Sequence, residues 1–349
     1  MLPEEADAAL IISGNNKRYF AGFPSEDGCL LVTREKAFLL VDSRYTEDAQ
    51  NRAHDCTVIT FTSLKDTLGE IIRECGIKSI MLEGSAFTLN QAAAFEEIFS
   101  GSDTQSIRTD ALDRMIGKLR INKTTDEIEK IMKAQRITEQ ALSETLRLVK
   151  EGVSERDTAL ELEYRMRRLG AAGVSFELIV LFGAKTSMPH GVPGDNRLKP
   201  GDFITFDIGA LYEGYHSDMT RTYAYGNVSD KQRRIYETVL RAQALGLQAV
   251  RAGVSCREVD AAARDYITHA GFGEYFGHST GHGVGLDIHE QPNVSFRSDT
   301  ILQSGMVITV EPGIYLPGEF GVRIEDMAVV STDGCIDLAT APKELIDIS

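Results

Sequence analysis

The sequence predicts an α+β chain in two parts: a small α/β domain over residues 1–118 and a larger domain over 119–349 with an internal pseudo-two-fold repeat. Three observations predict it. Up to about residue 118, short apolar runs alternate with stretches of helical spacing. Beyond residue 124, amphipathic helices and acid-bearing strand pairs come in two rounds. Two ten-residue stretches, LKPGDFITFD ending at Asp207 and LQSGMVITVE ending at Glu311, share one template, with the acids 104 residues apart (311 against 207).

In the first part, AALIIS (8–13), CLLVT (29–33), KAFLLVD (36–42) and SIMLEG (79–84) read as strands. SLKDTLGEIIREC (63–75) and TLNQAAAFEEIF (88–99) have helical spacing, with Ser63 and Thr88 placed to cap them. No cluster of His, Asp and Glu there suggests chemistry. The basic, mixed segment 113–125 reads as the boundary. Thr124 followed by Glu127 is a capping-box signature for a long helix with Ile128, Ile131, Met132, Ala141, Leu142 and Val149 on one stripe. Ser229 with Gln232 and Ser255 with Glu258 mark two more helix starts, and Ala270-Gly271 marks an end.

The bulk numbers narrow the function. A length of 349 residues suits two domains. With 37 basic against 52 acidic residues, the net charge of −15 argues against nucleic acid or an anionic membrane as partner. The N-terminus has no basic region before its short apolar run, and no stretch approaches the roughly 20 apolar residues of a membrane span. Five scattered cysteines without CxxC spacing predict free thiols in a reducing compartment, hence the cytoplasm.

Each template copy ends at an acid, and a second acid follows at hairpin distance. In FITFDIGALYEGYHSDMTRTYAY (203–225), a two-residue loop at either 212–213 or 213–214 puts Asp207 and Asp218 on one face. They are opposite in one register and diagonal in the other. In MVITVEPGIYLPGEFGVRIEDMAVV (306–330), Glu311 and Glu325 lie equally far from Gly318 and can face one another, with Arg323 on the face of Glu325. Like charges so placed are costly without a cation between them. The bland alternative leaves one acid in solvent and pairs the other with Arg221.

Between the hairpins, FGHSTGHGVGLDIHEQP (276–292) holds His278, His282 and His289, three of seven histidines within twelve residues. His190 sits in a loop set by Pro189 and Pro193. Four carboxylates balance two divalent ions, one neutral imidazole completes the set, and a bridging hydroxide fits between the ions. Such a centre lowers the pKa of bound water from 15.7 towards about 7 and polarises a scissile carbonyl. Oxygen-rich ligation favours Mn among the candidates, with Co, Zn and Fe as the others. GHGVG (281–285) lacks the spacing of a nucleotide loop, and no HExxH, Walker or G-x-S-x-G motif is present.

At these residues the chain resembles the pita-bread metallopeptidases, in the aminopeptidase P and prolidase branch. FDIGALYEGYHSDMTRT, GHGVGLDIHE, VEPGIYLPGEFGVRIED and MPHGVP carry the resemblance. NKRYFAGFPSEDGCLLVTREKAFLLVDSRY (16–45) extends it to a creatinase-type N-terminal domain. The resemblance implies that Asp207 chelates one ion, that Asp218 and Glu325 bridge both, and that His282 and Glu311 complete the ligands of the second ion. It makes Glu311 the proton shuttle and places His289 and His190 against the scissile carbonyl. Arg323 is expected to orient Glu325 or a substrate group, Tyr315 to stand behind the ligands, and His278 to be a substrate contact or a structural residue.

The implied substrate is a peptide with proline at the second position, the implied activity Xaa-Pro aminopeptidase, and the implied assembly a homodimer. A dipeptidase restricted to Xaa-Pro is the nearest alternative. Methionine aminopeptidase chemistry and a catalytically silent peptide-binding relative are the others. The first would resemble the catalytic half alone, and the second would have lost ligands. Two departures from the family stand out: no helix is expected before the first strand, and the chain has no Trp.

Overall fold

A computed structural model describes residues 2–349, which form two compact units, one ending at Leu119 and the other spanning Arg120–Ser349. In the first, strands β1 (Ala8–Ile11), β2 (Cys29–Thr33), β3 (Ala37–Val41), β4 (Thr57–Thr60), β5 (Ser79–Leu82) and β6 (Gln105–Ile107) form one mixed sheet in the order β4-β3-β2-β1-β5-β6. Leu10, Leu31, Leu40, Ile72, Ile80 and Phe99 fill one core of this unit.

The helices of this unit are α1 (Gly14–Ala21), α2 (Thr46–Arg52), α3 (Leu64–Glu74), α4 (Leu89–Ser100) and α5 (Ala111–Arg120). Ser63 and Thr88 accept from the backbone N–H three residues on, as N-caps do. The boundary between the units falls inside segment 113–125, most of which is α5. Leu112 and Ile116, one turn apart, are buried on one side of that helix.

The second unit repeats one plan. Helices α6 (Thr125–Leu146) and α7 (Glu155–Arg168) precede the first ribbon, and α8 (Asp230–Ala249) and α9 (Cys256–His269) precede the second. All four begin at a hydroxyl cap: Thr124, Ser154, Ser229 and Ser255. The buried stripe of α6 runs through Ile131, Ala134, Ile137, Ala141 and Leu142. Met132, expected on that stripe, is exposed, and Val149 is buried beyond the helix end. Polar Gln135 and Thr138 are also buried on α6, where Gln135 Nε2 donates to Met219 Sδ (3.3 Å) and Thr138 shares a hydroxyl bond with Ser217 (2.8 Å). They grip the two neighbours of Asp218.

After α7 come β7 (Gly173–Val174), β8 (Ile179–Phe182), β9 (Asp202–Ile208), β10 (Ala210–Tyr212), β11 (Tyr215–His216) and β12 (Met219–Tyr225). After α9 come β13 (Gly281–Gly283), β14 (Glu290–Val294), β15 (Val307–Val310), β16 (Gly313–Leu316), β17 (Phe320–Arg323), β18 (Asp326–Val330) and β19 (Cys335–Asp337). They form two three-stranded sheets, β11-β10-β7 and β12-β9-β8, the five-stranded sheet β14-β13-β15-β18-β19, and the pair β16-β17.

Both ribbons keep one register from end to end and open beside the acids, at Asp218 in the first and at Glu311 and Glu325 in the second. In the first, Asp207 pairs with Thr220 and Tyr212 with Tyr215, so the loop is Glu213–Gly214 and Asp218 lies diagonal to Asp207. Both loop residues have positive φ, 49° and 87°, as a tight twisted hairpin requires. In the second, Val310 pairs with Asp326 and Gly313 with Arg323, which sets Glu311 opposite Glu325 in the gap between two ladders. The first ribbon's gap sets Gly209 opposite Asp218, and a Cβ at Gly209 would lie 2.0 Å from the Ser217 carbonyl oxygen. Gly209→Ala is therefore expected to cost about 1–3 kcal/mol, read as a lower denaturation midpoint; an unchanged midpoint would contradict this close approach.

Candidate metal centre

The opened ladders free backbone groups, which the structure re-pairs across the ribbons. Glu325 N donates to Thr220 O (3.1 Å), and Glu311 N donates to Thr280 O (2.8 Å). Thr222 Oγ1 donates to Arg323 O (2.9 Å). Strand β12 thereby runs beside residues 323–325 and brings the acids of one ribbon to those of the other. His282 arrives on β13, which pairs with β15.

Among the described residues, Asp218, His282 and Glu325 each offer a ligand atom within 4.8 Å of the others. His282 Nε2 stands 3.5 Å from both Asp218 Oδ2 and Glu311 Oε1. Thr220 Oγ1 donates to Glu325 Oε2 (2.6 Å) and Thr309 Oγ1 reaches Glu311 Oε1 (3.4 Å). Asp207 joins through Arg323, whose Nη2 bonds its Oδ2. Arg323 was expected to orient Glu325 or a substrate group; its guanidinium lies on Asp207, Thr220 Oγ1 (3.2 Å) and Tyr315 Oη (2.7 Å), and Thr220 is what bonds Glu325.

The electrostatics identify what is missing from the balance. Asp218 is 4% and Glu325 2% exposed. Burial, and then the charges of neighbouring carboxylates, push both well above the usual carboxylate range. Burial likewise pushes Glu311 up to about 8, against the pull of Arg323. Burial and the nearby His289 hold His282 down to about 4, so its ring is neutral. Its Nδ1 lies 3.1 Å from Gly283 O, which accepts only, so the proton sits on Nδ1. The bare Nε2 lone pair then faces two carboxylate oxygens. A bare imidazole lone pair converging with carboxyl groups fits a divalent cation once those carboxyls are ionised, and the ring's bond to a backbone carbonyl is the usual brace of a metal-binding histidine.

The family comparisons agree with that geometry. Residues 129–332 match the model of metallopeptidase family M24, more than half of the chain, and residues 1–121 match the Creatinase/Prolidase N-terminal domain. The chain belongs to metallopeptidase family M24. It is a metal-dependent hydrolase with a pita-bread catalytic domain. An Xaa-Pro dipeptidase of Pyrococcus horikoshii is 38% identical, over 97% of this chain and 94% of that protein. The solved Xaa-Pro dipeptidase of Bacillus anthracis superposes with TM-score 0.94 at 42% identity, covering 98% of this chain and 95% of that one. An X-Pro aminopeptidase of Thermotoga maritima gives TM-score 0.92 at 38% identity, covering 98% and 97%.

The remaining expected residues differ in how they are held. His289 packs its ring against that of His282, centroids 4.3 Å apart, and is exposed on its other side. His190 is exposed on the loop whose Pro189 carbonyl accepts from Arg323 Nη2 (3.4 Å). His278, expected as a substrate contact or a structural residue, has both ring nitrogens occupied, by Ser279 O (2.8 Å) and Tyr315 Oη (2.9 Å). That makes it a brace behind Tyr315.

Two residues near the acids were not anticipated. Thr309 belongs to the repeated Ile-Thr pair and Thr220 lies two residues after Asp218, so period-two spacing pointed to both. Arg221, the bland partner for an acid of the first ribbon, pairs with Asp326 instead. It turns away from the acids and spends all five N–H groups on Thr220 O, Glu325 O, Asp326 Oδ1, Ala341 O and Pro342 O (2.6–3.0 Å).

A pH dependence follows for metal-free protein. Carboxyls with raised native pKa bind protons more tightly when folded, so their stabilisation is full at low pH and is lost as pH rises through the native value. For Glu311 that window runs from about 4.5 to about 8. The metal-free melting temperature should fall between pH 6 and 9, and added Mn²⁺ should restore it, because ligands must be deprotonated to bind. A metal-free melting temperature flat across this range would contradict the assignment.

Proposed function

We propose that this chain is a dinuclear metal exopeptidase that hydrolyses the Xaa-Pro bond at the N-terminus of peptides. The observation that carries the reading is the neutral His282 lone pair aimed into a buried set of carboxylates. The names of the relatives support the preference for proline. Asp207, Asp218, His282, Glu311 and Glu325 are the residues that would hold two divalent ions, with Mn favoured by the oxygen-rich donor set. When bound, the ions would lower the pKa of water and polarise the scissile carbonyl.

The chain's own residues do the rest. Glu311 Oε1, raised towards neutrality by burial, is suited to take a proton from the attacking water and deliver it to the proline nitrogen. His289 and His190 donate to the charge that develops on the carbonyl oxygen. Arg323 fixes Asp207 and, through Tyr315, the ring of His278. Five free cysteines support a cytoplasmic setting, and the family resemblance supports a homodimer.

A second reading, a dipeptidase confined to Xaa-Pro, is favoured by the Pyrococcus and Bacillus relatives that carry that name. The length of the first unit does not separate the two. The Pyrococcus dipeptidase and the Thermotoga aminopeptidase are both matched over at least 94% of their length. Incubation of the Mn²⁺-loaded protein with Ala-Pro and with Ala-Pro-Ala-Ala decides between them. Release of alanine from the tetrapeptide is expected; cleavage of the dipeptide alone would establish the second reading. Cleavage of neither by metal-loaded protein would overturn both. Asp218→Ala and Glu325→Ala should each abolish turnover and metal uptake together, a loss of at least about 10³-fold; a variant that keeps activity would contradict its assignment as a bridging ligand.

A further inference from the structure

Glu155, the first residue of α7, is a fully buried carboxylate outside the metal centre. Its four hydrogen bonds all go to one segment, residues 182–196. Oε1 accepts from Phe182 N (2.9 Å) and Asn196 Nδ2 (3.0 Å), and Oε2 from Lys185 Nζ (2.7 Å) and Gly194 N (3.0 Å). The backbone adds two ties, Glu155 N to Asn196 O (3.1 Å) and Arg156 N to Gly194 O (3.0 Å). One carboxylate thus joins the start of the loop to its end.

The loop so closed carries His190 at its tip, and it is docked on the metal-centre side. Gly321 N donates to Thr186 Oγ1 (2.8 Å), and Arg323 reaches Pro189 O (3.4 Å). A Cβ at Gly321 would lie 2.3 Å from Thr186 O, so the loop rests on bare backbone of β17. Lys185 Nζ also donates to Val192 O (2.6 Å), tying the far side of the tip to the same carboxylate. Residues 183–195 lack long regular structure, and a loop of this length holds one conformation only where its ends and middle are pinned. A buried charge is costly unless fully bonded, and a carboxylate can accept all four donors where a Gln cannot.

We propose that Glu155 is a positioning residue for His190: it closes the 182–196 loop so that the imidazole is presented at a fixed point over the metal centre. This rests on the reading of His190 as a substrate contact. The test is a double-mutant cycle on the Mn²⁺-loaded protein with Glu155→Gln, His190→Ala and the pair. It measures kcat and KM on whichever of Ala-Pro and Ala-Pro-Ala-Ala is cleaved, together with bound metal per chain.

Misplacing a contact by about 1 Å costs up to about a hundredfold, so Glu155→Gln should lower kcat roughly tenfold to a hundredfold with metal content unchanged. The double variant should be no slower than His190→Ala alone. If the two losses multiply, or if Glu155→Gln loses metal, the inference is overturned while the reading of His190 stands. Wild-type turnover in His190→Ala would overturn that reading, and this inference with it. Should Glu155→Gln fail to fold, Lys185→Met releases the loop from a less buried position and must show the same non-additivity, or the inference fails.

Discussion

Burial of Asp207, Asp218, Glu311 and Glu325 within reach of one another is the constraint on which the catalytic half depends. Ligand atoms of Asp218 and Glu325 lie within 4.8 Å of one another, where two like charges repel by at least about 3.5 kcal/mol at an effective dielectric near 20. A helix cap contributes about 1 kcal/mol. The repulsion of this one pair therefore outweighs a single cap. It can be relieved by protons, as the upward shift of Glu311 to about 8 expresses, or by divalent cations. His282 separates the two, because its bare lone pair adds a donor that protons on the carboxylates do not require and cations do.

The fold supplies rigidity where that charge is concentrated. Both ribbons interrupt their ladders beside the acids, so Asp218, Glu311 and Glu325 stand in gaps, while Asp207 stays in the ladder opposite Thr220. Each gap is held from behind. Gln135 and Thr138 of α6 hold the neighbours of Asp218, while Arg221 clamps the carbonyls of Thr220 and Glu325 to the C-terminal segment at Ala341 and Pro342. Asp326 neutralises Arg221 and also accepts from Gln243 Nε2 and Lys343 Nζ. This ion pair is buried and fully bonded, the condition under which such a pair fixes geometry.

The ribbons and their acids were legible in the sequence because hairpin geometry follows from loop length, and period-two alternation assigns the faces. The shared face of Asp207 and Asp218 and the opposition of Glu311 and Glu325 needed no tertiary information, whereas the choice of the Glu213–Gly214 loop, and with it the diagonal setting, came from the structure. The capping boxes at Thr124, Ser229 and Ser255 were legible for the same local reason. Ser154 was not, since its third residue is Asp157 and not Glu or Gln, and with it went the significance of Glu155. Short elements such as α1, α2, β4 and β6 carry too few residues for a period to show. Met132 was misplaced because a helical stripe was read from apolar type alone, whereas the buried face of α6 admits Gln135 and Thr138 for their bonds to residues 217–219. The partners of Arg221 and Arg323 lie about a hundred residues away and leave no local trace.

The most direct measurement of the central claim is anomalous diffraction from crystals grown with Mn²⁺, collected near the metal absorption edge. The account predicts two peaks a few ångströms apart, enclosed by Asp207, Asp218, His282, Glu311 and Glu325, with Asp218 and Glu325 contacting both. Density that shows no metal there, with these carboxylates paired to protein cations or protonated against one another, would contradict it.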